Sequence, residues 1–157
     1  MDLAELERRL KVVEDIEAIK QLKNRYCYYC DVNYDADGIE SCFVEDAIWE
    51  GIGFGTYYGR KAIREFFTKT APATLHFAMH LVMNPVIEVN GDTAKGRWYI
   101  FEPVTFAQGE QAGWLAGAYE DDYVRSGGGW KYKHLRFRPY ISTTFDKPWA
   151  NKRFGPQ

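Results

Sequence analysis

The chain of 157 residues lacks several features that would assign it to a broad functional class. It has no apolar run of roughly eighteen residues, so the sequence predicts no membrane span. Its formal net charge is −2, without a basic excess, so a nucleic acid is not an expected partner. The first residues, MDLAELERRL, are charged and periodic, which is not the pattern of a signal peptide.

Cysteine is also scarce, with three residues in the chain. An odd count without a secretory signal predicts reduced thiols and a cytoplasmic protein. Cys27 and Cys30 form a C-x-x-C pair, but the pair lies on a predicted helix and no second pair follows. Zinc or redox chemistry is therefore not expected there.

Aromatic residues, in contrast, are abundant at 17% of the chain, which indicates a bulky core or a pocket lined with rings. The length fits one domain, residues 1–157. Apolar residues recur every three or four positions from Leu3 to Tyr29, which predicts a long helix, with a possible break near Asp15. Strands are predicted at about 74–82, 86–89, 93–101, 114–124 and 130–137. Helices followed by an antiparallel meander predict an α+β fold with the helices on one face of a curved sheet.

Two of the three histidines lie in the apolar segment LHFAMHLVMN, which begins at Leu75. If this segment is one strand, His76 and His80 share a face, and at least one imidazole is partly buried and needs partners for its nitrogens. Four residues along a strand span roughly 13 Å, too far for both rings to bind one ion. The sequence therefore predicts no metal site.

Two carboxylates are candidates to partner a buried histidine. Asp31 lies at the edge of the apolar stripe of the long helix, where it could either lean over a cavity or simply end the helix beside solvent. Glu102 follows Trp98 and Ile100 on one strand face. Tyr99 and Phe101 make the other face apolar too, so parity leaves open whether Glu102 points inward or into solvent.

For four further residues, the sequence leaves open whether the side chain lines a pocket. Tyr26, Tyr119 and Trp49 could line a cavity or belong to the core. In HLRFRPY, Arg138 alternates with Leu135 and Phe137, so it faces outward if those two face the core, unless a β-bulge changes the parity.

Several segments together resemble a known family. DIEAIKQLKNRYCYYCD, EDAIWEGIGFGTYYG, HFAMHLVMNPVIEVNGDTAKGRWY and YVRSGGGWKY resemble the SnoaL-like branch of the nuclear-transport-factor-2-like superfamily. Within it, the segments resemble the bile-acid 7α-dehydratase, scytalone dehydratase and hexachlorocyclohexane dehydrochlorinase group. The resemblance implies a cone-shaped α+β fold, in which a curved antiparallel sheet wraps around N-terminal helices and encloses a deep apolar pocket.

The resemblance also implies site residues. Asp31 and His80 match the Asp–His dyad of the dehydratases, in which the histidine acts as base or proton shuttle. Tyr26 matches a pocket tyrosine, Glu102 stands where the bile-acid enzyme has an aspartate, and Arg138 locally resembles its pocket arginine. His76 is expected to support the site. A second pocket tyrosine of the dehydratases maps near Gly51 and is missing here.

Together, the residues and the resemblance predict a cofactor-independent dehydratase- or isomerase-type lyase. Its substrate would be a small apolar ring compound such as a steroid, polyketide or aromatic. His80 would remove a proton and Asp31 would orient it. Tyr26, Glu102, Arg138, Tyr119, Trp49 and His76 would contact the substrate. The alternative is a non-catalytic binding module, or a β-type subunit of a ring-hydroxylating dioxygenase. The resemblance further implies a homodimer or homotrimer.

Overall fold

The helical elements come mostly first. In the computed structural model, residues 2–151 and 153–154 are described; Met1, Lys152 and residues 155–157 of the predicted domain lie outside the described residues. The helices are α1 Leu3–Asp31, α2 Ala36–Ser41, α3 Arg60–Glu65 and α4 Ala71–Thr74, with a π-helical turn at Phe66–Thr70 and a 3₁₀ turn at Gln108–Glu110.

The strands form one curved, unclosed sheet. They are β1 Phe43–Gly51, β2 Gly55–Tyr58, β3 Leu75–Ala78, β4 Leu81–Asn90, β5 Thr93–Phe106, β6 Gln111–Ser126 and β7 Gly129–Thr144. The order is β2-β1-β7-β6-β5-β3, with β4 also paired to β5. The α+β prediction is confirmed, but the purely antiparallel sheet is wrong, because β1 pairs with β7 in parallel.

The long helix α1 runs without the break considered near Asp15. The Asp2 side chain caps its start by accepting a hydrogen bond from the Glu5 backbone N–H at 2.8 Å. Asp15 begins no second helix. It is buried, and it accepts hydrogen bonds from the Arg125 guanidinium and the Trp130 indole. These hydrogen bonds therefore connect α1 to β6 and β7.

The single strand predicted at 74–82 is divided into β3 and β4. The pairing of β3 with β5 shifts between Leu75 and Phe77, so Leu75 and Ala78 are buried while His76 and Phe77 are exposed. This irregularity breaks the alternation on which the shared face of the two histidines rested. His80 lies in the gap between the strands.

The core lies between the inner face of the sheet and the helices. The inward residues of β5 alternate as Trp98, Ile100, Glu102 and Val104, all of them buried. Of the helices in the described part of the chain, none combines the length and apolar composition that a membrane crossing requires.

Candidate active site

A cavity opens between the helices and the inner face of the sheet. It encloses about 430 Å³ of empty space, counting its opening toward solvent. Aromatic side chains form most of its wall, including Tyr26, Tyr34, Trp49, Phe66, Tyr119 and Phe137. The ionisable side chains that line it, among the described residues, are His80, Glu102 and three tyrosines. The site therefore places few charges in an apolar chamber, which is the usual composition of a small-molecule site.

The end of α1 brings Asp31 to the edge of this chamber. Asp31 is the last helical residue, and the following turn contains Asn33 at φ 53° and Tyr34 at φ 54°. The Tyr34 N–H then bonds to the Cys30 carbonyl at 3.2 Å. This left-handed turn ends the helix, so the Asp31 carboxylate faces the gap between β3 and β4 instead of a further helical turn.

The Asp31 carboxylate holds both the backbone and the ring of His80. His80 Nδ1 lies 2.7 Å from Asp31 Oδ1, and the His80 backbone N–H donates to the same carboxylate at 3.0 and 3.2 Å. Because Asp31 accepts at Nδ1, that nitrogen carries a proton. The contact predicted between these two residues is present in the structure.

A second carboxylate closes the other side of the imidazole. His80 Nε2 lies 2.8 Å from Glu102 Oε1, and both side chains are buried or nearly so. Glu102 faces inward on β5, so the reading of Glu102 as a solvent-exposed strand end is wrong. The result is a chain of carboxylate, imidazole and carboxylate, in which Glu102 and His80 line the cavity and Asp31 does not.

The two carboxylates decide the charge of His80. Burial by itself lowers the pKa of an imidazole, but the charges and hydrogen bonds of Glu102 and Asp31 outweigh it and raise the pKa of His80 to about 9. The ring is therefore an imidazolium at neutral pH, with one N–H directed at each carboxylate.

Two residues expected at the site lie elsewhere. Arg138 is on the outer face of the sheet, where its guanidinium bonds to Glu120 at 3.2 Å, because Leu135 and Phe137 occupy the inner positions. His76 is exposed and bonds to Glu110, since the irregular pairing of β3 turns it outward. Neither residue lines the cavity, so the predictions that Arg138 and His76 contact the substrate there are wrong.

The aromatic residues expected at the site do line the cavity. Tyr26 and Trp49 are buried in its wall, and the Trp49 indole N–H donates to the Tyr26 hydroxyl at 2.9 Å. Tyr119 lies on β6, also buried and also part of the wall. The core and pocket readings of these three residues are therefore both correct, since each packs in the core and lines the cavity.

Sequence reasoning did not identify a buried ion pair beneath the cavity. Lys23 is fully buried, and its ammonium donates to Asp121 Oδ2 at 2.9 Å. The periodicity of α1 could have indicated that Lys23 is buried. Lys23 lies four residues after Ile19 and four before Cys27, on the buried stripe of the helix. A lysine at such a position needs an anionic partner from another element.

No group of three or more His, Cys, Asp and Glu side chains in residues 2–151 and 153–154 is arranged to hold a metal ion. The chain of Asp31, His80 and Glu102 explains this at the cavity, because hydrogen bonds to the two carboxylates occupy both imidazole nitrogens. The prediction that the protein needs no metal remains a prediction.

A family model described as a SnoaL-like domain matches residues 11–136. The chain belongs to the SnoaL-like family. An uncharacterized protein of Mycobacterium tuberculosis is 31% identical over 97 residues, covering 60% of this chain. The chain spans 65% of the length of that relative.

Two solved structures are similar to this chain over most of its length. One, from Novosphingobium aromaticivorans, bears the provisional name of aromatic ring hydroxylase; it is 30% identical, with a TM-score of 0.76 over 85% of this chain and 96% of its own. The other is the hexachlorocyclohexane dehydrochlorinase LinA-type3 of Novosphingobium barchaimii. It is 25% identical, with a TM-score of 0.80 over 95% of this chain and 99% of its own.

We expect the His80 ring to titrate near pH 9, because two carboxylates stabilise its charged form. Glu102→Gln removes one of these charges and should shift the titration to lower pH. Nitrogen-15 NMR of the imidazole measures both values. Glu110→Gln is the matched control, since it removes the carboxylate bonded to exposed His76 and should leave the His80 titration unchanged. A His80 ring that titrates near 6.5 in the wild-type protein would contradict the proposed environment.

Proposed function

We propose that the protein is a cofactor-independent lyase of the dehydratase type, acting on a small apolar ring substrate. The observation that carries the proposal is the chain of Asp31, His80 and Glu102, which brings an imidazolium and a carboxylate together at the wall of an apolar cavity. An acid and a base in direct contact are the two groups that an elimination of water requires.

The protonation of His80 determines which group takes which role. At neutral pH the imidazolium has no free lone pair, so it acts as an acid. Glu102, which lines the cavity, is the base, in place of the histidine expected from sequence. Asp31 does not line the cavity; it orients the ring and stabilises its charge.

The proposed reaction conserves protons within the pair. The carboxylate of Glu102 removes a proton from a C–H bond, and the electron pair forms the new C=C bond. Once protonated, Glu102 holds the His80 Nε2–H less strongly. That N–H then gives its proton to the hydroxide that departs as the C–O bond of the neighbouring carbon breaks, and water leaves. Glu102, now protonated, returns its proton to His80 across their hydrogen bond of 2.8 Å, which restores the starting state.

This arrangement favours an oxygen leaving group over a halide. Hydroxide is a poor leaving group that needs protonation, whereas chloride leaves without a proton. A resting imidazolium supplies that proton. The dehydrochlorinase LinA-type3 shares the fold. Because the resting imidazolium suits a hydroxyl leaving group, the chemistry proposed for this site is nevertheless dehydration or a related isomerisation.

The test is the pH dependence of turnover on a substrate found by thermal-shift screening of hydroxylated ring compounds. The active form holds a proton on His80, so kcat should be lost as pH rises through about 9. Addition of a chelator should leave the rate unchanged, because no metal takes part. A rate that instead increased as pH rose through 9 would show that neutral His80 is the base, and would contradict the roles proposed here.

The second candidate is a binding role without catalysis. It is favoured by the aromatic wall of the cavity and by the similarity to a protein provisionally named as an aromatic ring hydroxylase. Such a module, or a partner subunit of a dioxygenase, would bind ring compounds and convert none of them. A compound that stabilises the protein against heat but is recovered unchanged throughout the screen would support this role.

We also expect a homodimer or homotrimer, because the outer face of the sheet is apolar. Leu81 pairs with Phe101 and Met83 with Tyr99 across β4 and β5, and Phe101 stacks on Trp114 with ring centroids 5.2 Å apart. Leu81, Met83 and Tyr99 are exposed, and such a patch usually marks an interface. Light scattering at micromolar concentration should give two or three chain masses. A single-chain mass would refute the expectation.

A further inference from the structure

The mouth of the cavity is marked by the lining residues that remain partly exposed. Of the described residues that line it, Tyr34, Phe54 and His80 keep part of their surface exposed, and the others are buried. A ligand that enters therefore passes these three side chains. Because His80 belongs to the proposed acid–base pair, a substrate that reaches the reacting groups lies close to Phe54 as well.

The cavity is small, and most of its wall is aromatic. Its volume of about 430 Å³ includes the mouth, so the enclosed part is smaller still. This places it near the lower end of the roughly 300–1,000 Å³ that is usual for small-molecule sites. Buried rings are packed against one another as closely as the rest of a protein interior, and they give way little to a ligand. The positions of these rings therefore set the largest ligand that fits.

Trp49 is the most firmly held of these rings. Its indole lies on Phe66 with ring centroids 4.4 Å apart, and its N–H donates to the Tyr26 hydroxyl at 2.9 Å. On the other side it lies over the backbone of Gly51, where a Cβ atom would be 2.7 Å from Trp49 Cη2. The glycine thus allows this position of the indole, and the contacts with Phe66 and Tyr26 hold it there. Trp49 is a rigid limit of the cavity.

Phe54 limits the cavity at its mouth. Its ring centroid lies 6.4 Å from that of Trp49 and 6.1 Å from that of Phe137. The turn between β1 and β2 fixes its backbone, because the Phe54 N–H donates to the Gly51 carbonyl at 2.9 Å and the Phe54 carbonyl accepts from the Tyr57 hydroxyl at 2.9 Å. The ring is therefore held beside the indole, and it takes up space that a larger ligand would need.

We propose that Trp49 and Phe54 are specificity-determining residues that restrict the substrate to a single ring and exclude fused-ring compounds such as steroids. One ring packs against the two aromatic side chains while its substituents reach His80 and Glu102. A second fused ring requires space that Phe54 or Trp49 fills. This inference rests on the proposed dehydratase function, which it deepens by naming the size of the substrate.

Benzyl alcohol and the matching naphthalenemethanol are suitable probes, because they share a hydroxymethyl group and differ by one fused ring. Apolar burial alone predicts that the larger compound binds more tightly, since it removes more apolar surface from water. The size limit predicts the opposite order. Isothermal titration calorimetry should show that the wild-type protein binds benzyl alcohol at least about tenfold more tightly than naphthalenemethanol.

Two variants enlarge the cavity at the two limiting positions. In Phe54→Ala and in Trp49→Phe, the affinity for naphthalenemethanol should rise by about tenfold or more, whereas the affinity for benzyl alcohol should not rise, because its ring loses a contact. Ile52→Ala is the matched control. Ile52 lies on the same turn as Phe54 but is exposed and does not line the cavity, so this variant should keep the wild-type order of affinities. Phe54 is only half-buried, so Phe54→Ala should fold even if Trp49→Phe does not.

A wild-type protein that bound naphthalenemethanol as tightly as benzyl alcohol, or that bound neither, would overturn the proposal. An unchanged order of affinities in Phe54→Ala would do the same. None of these measurements requires turnover, and Glu102→Gln should keep the wild-type order. Failure of the size limit is therefore distinct from failure of the acid–base proposal, which the pH dependence of turnover tests.

Discussion

Glu102→Gln should reduce kcat by about 10²–10⁴-fold, the usual contribution of a positioned acid or base. The amide keeps the size of the side chain and can still accept a hydrogen bond from His80 Nε2, but it cannot take a proton from carbon. Because Glu102 is held by one contact of 2.8 Å to His80 and otherwise faces the cavity, we expect the variant to fold. Steady-state kinetics with the substrate identified by screening measures the effect.

Two further variants make this result specific to the site. His80→Gln removes the acid and should cause a loss of kcat of the same order, and the double variant should be little worse than either single variant, because the two groups act as one unit. Glu110→Gln, at an exposed carboxylate that also bonds to a histidine, should retain wild-type kcat. Wild-type turnover by Glu102→Gln would contradict the role of Glu102 as base and return that role to His80.

For Arg138, the alternation of inward and outward residues along the strand gave a better prediction than the family resemblance did. The alternation of Leu135 and Phe137 predicted that Arg138 faces outward, whereas the resemblance placed it in the pocket. Parity failed at His76, because the pairing of β3 slips after Leu75. No residue type in that segment is typical of an irregular strand pairing, so the outward position of His76 could not be predicted from the sequence.

The contact between Asp31 and His80 was predictable, but the third member of the chain was left open. Both faces of β5 are apolar in sequence, so nothing local fixes which face is inward. The structure resolves this through β6, whose partner residue Leu115 is buried opposite Glu102. The charge of His80 depends on that choice, and for this reason the assignment of acid and base required the fold.

The buried ion pair beneath the cavity should be the most sensitive point of the fold. Lys23→Met should lower the free energy of unfolding by about 3–5 kcal/mol, because it leaves the carboxylate of Asp121 buried without its cation. Burial raises the pKa of Asp121 even beside the Lys23 ammonium, and loss of that ammonium would raise it further. The destabilisation of the variant should therefore be largest at neutral pH and decrease as pH falls and Asp121 becomes protonated.

Urea unfolding at several pH values measures this prediction, and the same helix supplies the control. Lys20 lies one turn before Lys23 and is 3.8 Å from Glu17 at the surface, so Lys20→Met should change the free energy of unfolding by no more than about 0.5 kcal/mol. Lys23→Met/Asp121→Asn should recover much of the lost stability, because neither charge then remains unpaired. If the double variant were as unstable as Lys23→Met, the loss would come from packing of the lysine stem rather than from an unpaired charge.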